Sequence, residues 1–239
     1  MSTTSTSPKR LARIAGLLYL AVVVLRGLPL LVARPMVRIS GDPAATAEAV
    51  AANQTLLRVA FVSELAGIVA FILLVMVLYR LLRHVDRQVA AAMVTFLAIA
   101  VAIASANMIN HLAAVVIAAD PTLATALGVQ GSEGLMLLFL ELHEVGYSIG
   151  EIFFGLWLFS LGYLALKSGW FPRPLAVLLM VGCFAYLTLA FTVPLFTRFP
   201  EALLLIAAPA GAAQFWMIGY LLTRGVNTTD RQLPTPTPA

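Results

Sequence analysis

The chain has 239 residues, 61% hydrophobic and 11% charged, with a formal charge of +4 and a mean hydropathy of +0.96. A soluble domain carries about 25% charged residues, so an all-α, polytopic membrane protein is expected. The single cysteine, Cys183, excludes an internal disulfide. Basic residues that gather at helix ends, rather than on one soluble face, exclude nucleic acid as a partner.

Residues 1–10 form a polar Ser/Thr tract ending in Lys9-Arg10 and are expected to be a disordered cytoplasmic tail. The apolar run that follows is long for a cleaved signal peptide and has no small-x-small cleavage site. It reads as a retained first helix. A spanning helix needs about 20 mostly apolar residues. Six runs qualify: 11–33, 56–82, 89–119, 134–166, 172–197 and 201–223. Short connections join them into one membrane domain, 11–224. In the first outer loop, Gly41-Asp42-Pro43 supplies an N-cap and a first-turn proline, so a short outer helix is expected over 43–53. The fourth run, about 50 Å long at 1.5 Å per residue, must tilt or project from the bilayer. Residues 225–239, with their Thr-Pro repeats, are expected to form a second disordered cytoplasmic tail.

Orientation follows from Lys and Arg in the short loops. Lys9, Arg10 and Arg13 flank the start of the first run, and Arg80, Arg83 and Arg87 lie at or just past the end of the second, before the third. Lys167 and Arg173 lie between the fourth and fifth, and Arg224 and Arg231 follow the sixth. The opposite side has Arg34, Arg38, Arg58 and Arg198, and its segment 120–133 has no basic residue. Both termini are therefore expected inside, in the cell (cytoplasmic) membrane, with the lipid bilayer as the surrounding partner.

The fourth run carries Glu141-Leu-His-Glu-Val-Gly-Tyr-Ser-Ile-Gly-Glu151, three carboxylates besides Glu141's own motif partner His143, inside an apolar segment. Ionisable groups in hydrocarbon are costly and face a bundle interior, a cavity or each other. Counted from the outer helix ends, Arg26, Glu64, His111 and His143 all lie about 12 Å deep. They are expected to meet in the outer half of the bundle as a pocket with Asn107, Glu141 and Tyr147. Glu141, Glu144, Ser148 and Glu151 follow one helical stripe. Gly146 and Gly150 make a G-x-x-x-G that lets another helix approach closely. Pro29, one turn after Arg26, is positioned to bend the first helix.

Three chemistries suit this layer. His111 and His143 with Glu64 and Glu141 could bind a divalent metal, zinc or iron by ligand type, and an open position would support hydrolysis. The two imidazoles could instead hold a b-type haem. His143-Glu144-x-x-Tyr147 misses the metalloprotease H-E-x-x-H by one residue, and no di-iron Glu-x-x-His pattern is present. Alternatively, Glu144 and Glu151 could relay protons or bind a cation or an amine, as in a small transporter. The third reading is a polar layer that only fixes helix packing, with Arg26–Glu64 as a buried ion pair. The leading expectation is a pocket for a small molecule, lipid or metal ion.

The chain resembles a bacterial membrane family known as domain of unknown function 4386, nearly end to end from Arg13 to Arg224. The resemblance rests on Arg-Ile-Ala-Gly-Leu-Leu-Tyr-Leu at 13–20, Gly41-Asp42, and Leu-Tyr-Arg-Leu-Leu-Arg at 78–83. Its strongest part is Glu141-Leu-His143-x-x-Gly146-Tyr147-x-x-Gly150, followed by Gly162-Tyr163 and Pro172. It implies a six-helix membrane fold and no particular activity. It also implies that Glu141, His143 and Tyr147 carry any shared site, that Glu144 and Glu151 do not, and that an acid stands where this chain has Gln214.

Overall fold

A computed structural model describes residues 7–39, 42–192 and 200–227. Helix α1, Pro8–Leu28, starts where Ser7 Oγ accepts the Arg10 N–H and Pro8 occupies the first turn. This corrects the expected N-terminal tail: residues 8–10 are helical. The chain continues through a π-helical turn, Pro29–Ala33, into α2, Arg34–Val37. Helix α3, Pro43–Ala52, is capped by Asp42, whose Oδ1 accepts from Ala45 N at 2.9 Å. There follow α4, Gln54–Leu82, and α5, Arg87–Ala119. Helix α6, Pro121–Leu127, fills part of the connection between the third and fourth runs.

Helix α7, Val129–Ser168, is 40 residues long and begins five residues before its expected start. The break falls at Gly128, whose φ of 74° suits glycine, while Gly131 and Gly134 sit inside the helix. Helix α8 is Arg173–Thr192 and α9 is Pro200–Thr223. The remainder of the expected fifth span, 193–197, lies outside the described residues, as do tail residues 1–6 and 228–239. Among the described residues, six helices are long and apolar enough to cross a membrane: Pro8–Val37, α4, α5, α7, α8 and Leu205–Thr223. The fold is all-α, and these helices mark a multi-pass membrane protein.

The spans pack as a ring in chain order, α1–α4–α5–α7–α8–α9, and α9 closes against α1. At the closure the Gly16 position touches Leu221 and Leu222, and Gly225 lies beside Lys9. The described ends of the chain therefore share one end of the bundle. Trp157 sits fully buried at its centre, edge-on to Phe71 with ring centroids 5.0 Å apart and to Tyr19 at 6.0 Å. Helices α7 and α8 approach closely at Gly155 and Gly162, where a Cβ would come within 3.1 Å of the Cys183 carbonyl and 2.8 Å of the Ala176 carbonyl. Such contacts need glycine because the neighbour is backbone and cannot move aside.

Candidate functional site

Pro29 has no N–H, so the carbonyl of Leu25, one turn earlier, loses its helical partner. Ser63 on α4 supplies a replacement: its Oγ–H donates to Leu25 O at 2.7 Å. The next residue, Glu64, accepts from Arg26 Nε at 2.8 Å. The Arg26 stem lies on Gly67, where a Cβ would be 2.6 Å from Arg26 Cγ. One turn of α4 thus holds the end of α1 by a hydrogen bond, an ion pair and a close contact. Freed carbonyls in a membrane helix need such partners.

Beyond Leu28, the π turn brings Arg34 and Arg38 over α7. Arg34 Nη1 and Arg38 Nη1 lie 3.6 Å and 3.4 Å from Glu144 Oε1. The Arg34 guanidinium also rests 4.8 Å from the centre of the Tyr147 ring. Arg34 Nη2 lies 3.3 Å from His143 Nε2. A guanidinium only donates, so Nε2 accepts and the imidazole proton resides on Nδ1. That N–H donates to the main-chain carbonyl of Asn107 at 3.2 Å. In return, Asn107 Nδ2 donates to the His143 carbonyl at 2.7 Å, and Asn110 Nδ2 donates to Asn107 Oδ1. A Cβ on Gly146 would collide with the Asn107 carboxamide, so this glycine makes room for the α5–α7 link.

The His111 and His143 rings lie 5.5 Å apart, and His111 Nε2 donates to the Leu57 carbonyl at 3.3 Å. The structure therefore brings Arg26, Glu64, Asn107, His111, His143 and Tyr147 together across α1, α4, α5 and α7. It does not bring Glu141, which is exposed and lines neither the small cavity beside the two imidazoles nor the larger one described below. At 100° per residue, Glu141 and His143 are 200° apart and point to opposite sides of α7. The four residues expected as a metal set are therefore not gathered in one place. Both His143 nitrogens are engaged, and among the described residues no three His, Cys, Asp or Glu side chains are placed to hold a metal ion. The cavity beside the two imidazoles, bordered by Glu64 and Glu144, is only about 50 Å³, room for a few waters.

A second, larger cavity of about 340 Å³ lies deeper in the ring. Its polar lining is Arg26, Tyr147, Glu151, Tyr186 and Gln214, set among apolar side chains. Gln214 joins three helices: its Oε1 accepts from Tyr19 Oη at 3.2 Å, and its Nε2 donates to Tyr186 Oη at 2.8 Å. An amide can accept and donate at once, which a carboxylate cannot. Gly150 borders this cavity, and its nearest neighbours would be 3.8 Å from a Cβ. It is not the close helix contact expected of the G-x-x-x-G pair. The two carboxylates expected as a proton path are parted: Glu144 borders the small cavity and Glu151 the large one.

The chain belongs to the family described as Domain of unknown function (DUF4386). Its model matches residues 14–225. No curated protein and no solved structure matched the chain. In this DUF4386 protein, the local sequence pattern does not mark Arg34, because the first span is expected to end at residue 33. The local pattern does not mark Tyr19 and Tyr186 either, and Gln214 is singled out by the family resemblance alone, because their contacts cross up to 195 residues of chain.

Proposed function

We propose that this DUF4386 protein lies in the cytoplasmic membrane, with both termini in the cytoplasm, and binds a small amphipathic ligand in the larger cavity. The observation that carries the reading is the cavity itself. Its volume of about 340 Å³ falls in the range of small-molecule pockets, ~300–1,000 Å³. Its mostly apolar walls forfeit dispersion contacts while nothing lies against them, so an occupant is favoured. The wall includes Leu31 and Phe215, 74% and 63% exposed on the outer surface, so the occupant enters from the hydrocarbon between α1 and α9.

The orientation rests on the basic residues. Lys9, Arg10, Arg80, Arg83, Lys167 and Arg224 belong to the helix ends and turns beside the described termini. Positive charge of this kind marks the cytoplasmic side. In this reading the His111–His143–Asn107 layer is a packing device, since its nitrogens already serve main-chain carbonyls and Arg34.

The test is native mass spectrometry on protein released gently from its own membranes, beside Gly150→Phe. Gly150 has room for a side chain that fills the cavity. The wild type should retain a discrete non-covalent mass that the variant lacks. A wild type carrying only the bulk lipid mixture, or a variant carrying the same adduct, would overturn the proposal.

A further inference from the structure

We infer that the larger cavity recognises an organic cation with an apolar body, a protonated amine or quaternary ammonium compound, and that the Glu151 carboxylate is its counter-charge. This rests on the cavity reading above and names the ligand class.

Of the other polar groups on the wall, Arg26, Gln214 and Tyr186 are already committed, and Tyr147 is an uncharged phenol. Arg26 is paired with Glu64 at 2.8 Å. Gln214 and Tyr186 bond to each other, and Gln214 also holds Tyr19. The Tyr147 ring lies beneath Arg34. Glu151 alone among these charged groups forms no ion pair, and it accepts no hydrogen bond from a described residue. The charges that act on it do so through space: Arg34, Glu144 and Arg26. Glu64 offsets Arg26, while Arg34 and Arg38 share the single carboxylate of Glu144 and so keep one positive charge between them. Neither Arg34, Arg38 nor Glu144 borders this cavity.

One carboxylate is too few oxygens for a bare metal cation, which takes about six or more oxygen ligands. It suits an ammonium group that carries its own apolar shell. The wall supplies the rest, because Phe71, Phe154 and Tyr186 present aromatic rings to the same space. Aromatic faces attract alkylammonium groups, most strongly where water is excluded. An anion would face Glu151 and find the cavity's one guanidinium already paired.

The experiment measures saturable binding to the protein in lipid nanodiscs, above that of empty nanodiscs. Three probes of one shape are compared: benzyltrimethylammonium, its uncharged carbon analogue neopentylbenzene, and benzylsulfonate. The wild type should bind the ammonium at least about tenfold more tightly than the neutral analogue, a modest return for one desolvated charge pair. Glu151→Gln, which keeps the side chain's shape, should bring the ammonium down to the neutral probe's affinity and leave the neutral probe unchanged. Equal affinities in the wild type, a preference for the sulfonate, or a cation preference that survives Glu151→Gln would overturn the assignment while leaving the cavity reading intact. A carboxyl that simply holds a proton gives the first of these results. No saturable binding of any probe would end both readings. The wild-type comparison stands by itself if the variant fails to fold.

Discussion

Replacing Glu64 with Gln keeps the shape of the side chain and removes its charge. Arg26 Nε and Glu64 Oε1 are 2.8 Å apart, and the two side chains are only 17% and 9% exposed. With charge centres about 4 Å apart, their attraction at an effective dielectric of ~20 is about 4 kcal/mol. Gln retains an oxygen that accepts from Arg26, so part of the hydrogen bond survives. Breaking a buried pair from one side typically costs about 3–5 kcal/mol, because the other charge is left without a partner. The surviving hydrogen bond places Glu64→Gln near the low end, about 3 kcal/mol. The double variant Arg26→Leu/Glu64→Leu should lose less than the sum of its singles, since no orphan charge remains. The assay is reversible unfolding in mixed micelles, followed by helical circular dichroism. Strictly additive losses, or a loss below about 0.5 kcal/mol for Glu64→Gln, would refute the reasoning.

Three other outcomes follow from the same contacts. Ser63→Ala removes the donor to the Leu25 carbonyl and should cost about 1–2 kcal/mol. Pro29→Ala restores a main-chain N–H and should recover most of that loss in the same unfolding assay, whereas no rescue would show that the carbonyl was not the cause. Gly146→Ala, which collides with Asn107, should cost about 1–3 kcal/mol, while Gly150→Ala, with 3.8 Å of clearance, should be nearly silent. Equal effects at the two glycines would contradict this packing. Finally, the Lys167 ammonium, 2.9 Å away, and then the Val89 N–H hold the Asp86 carboxyl below its ordinary range. A carboxyl depressed in the folded state adds stability above its ordinary value of 3.8 and loses it as the pH falls through the folded value. The melting temperature of Asp86→Asn should therefore lie below wild type at neutral pH, with the gap closing in acid below 3.8. A gap that persists in acid would assign the loss to something other than charge.

The spans were legible because crossing a membrane demands long apolar runs, and length and composition are local properties. The partnership of Arg26 with Glu64 and the nearness of His111 to His143 were legible for a related reason: helices of known direction convert residue counts into depth. Depth says nothing about facing, and that is where Glu141 went astray. It lies two residues from His143 and so on the other side of α7. Arg34 was hidden by the π turn at Pro29–Ala33, which carries the helix past its expected end and rotates the following residues toward α7. The larger cavity is written nowhere locally. It exists because Gly150, Ala100 and Ala104 leave space at positions drawn from two helices, and because Gln214 ties α9 to α1 and α8 below it.

The most direct test of an occupied cavity uses Trp157, which is fully buried and touches Phe71 edge-on and Phe154 at a tilt, both on the cavity wall. With Trp170 and Trp216 replaced by Phe, Trp157 is the remaining indole. A bromine-labelled alkylammonium that enters the cavity should quench its fluorescence saturably in nanodiscs, and Gly150→Phe should abolish the saturable part. Quenching that rises only in proportion to the label in the bilayer, the same in both proteins, would contradict the account.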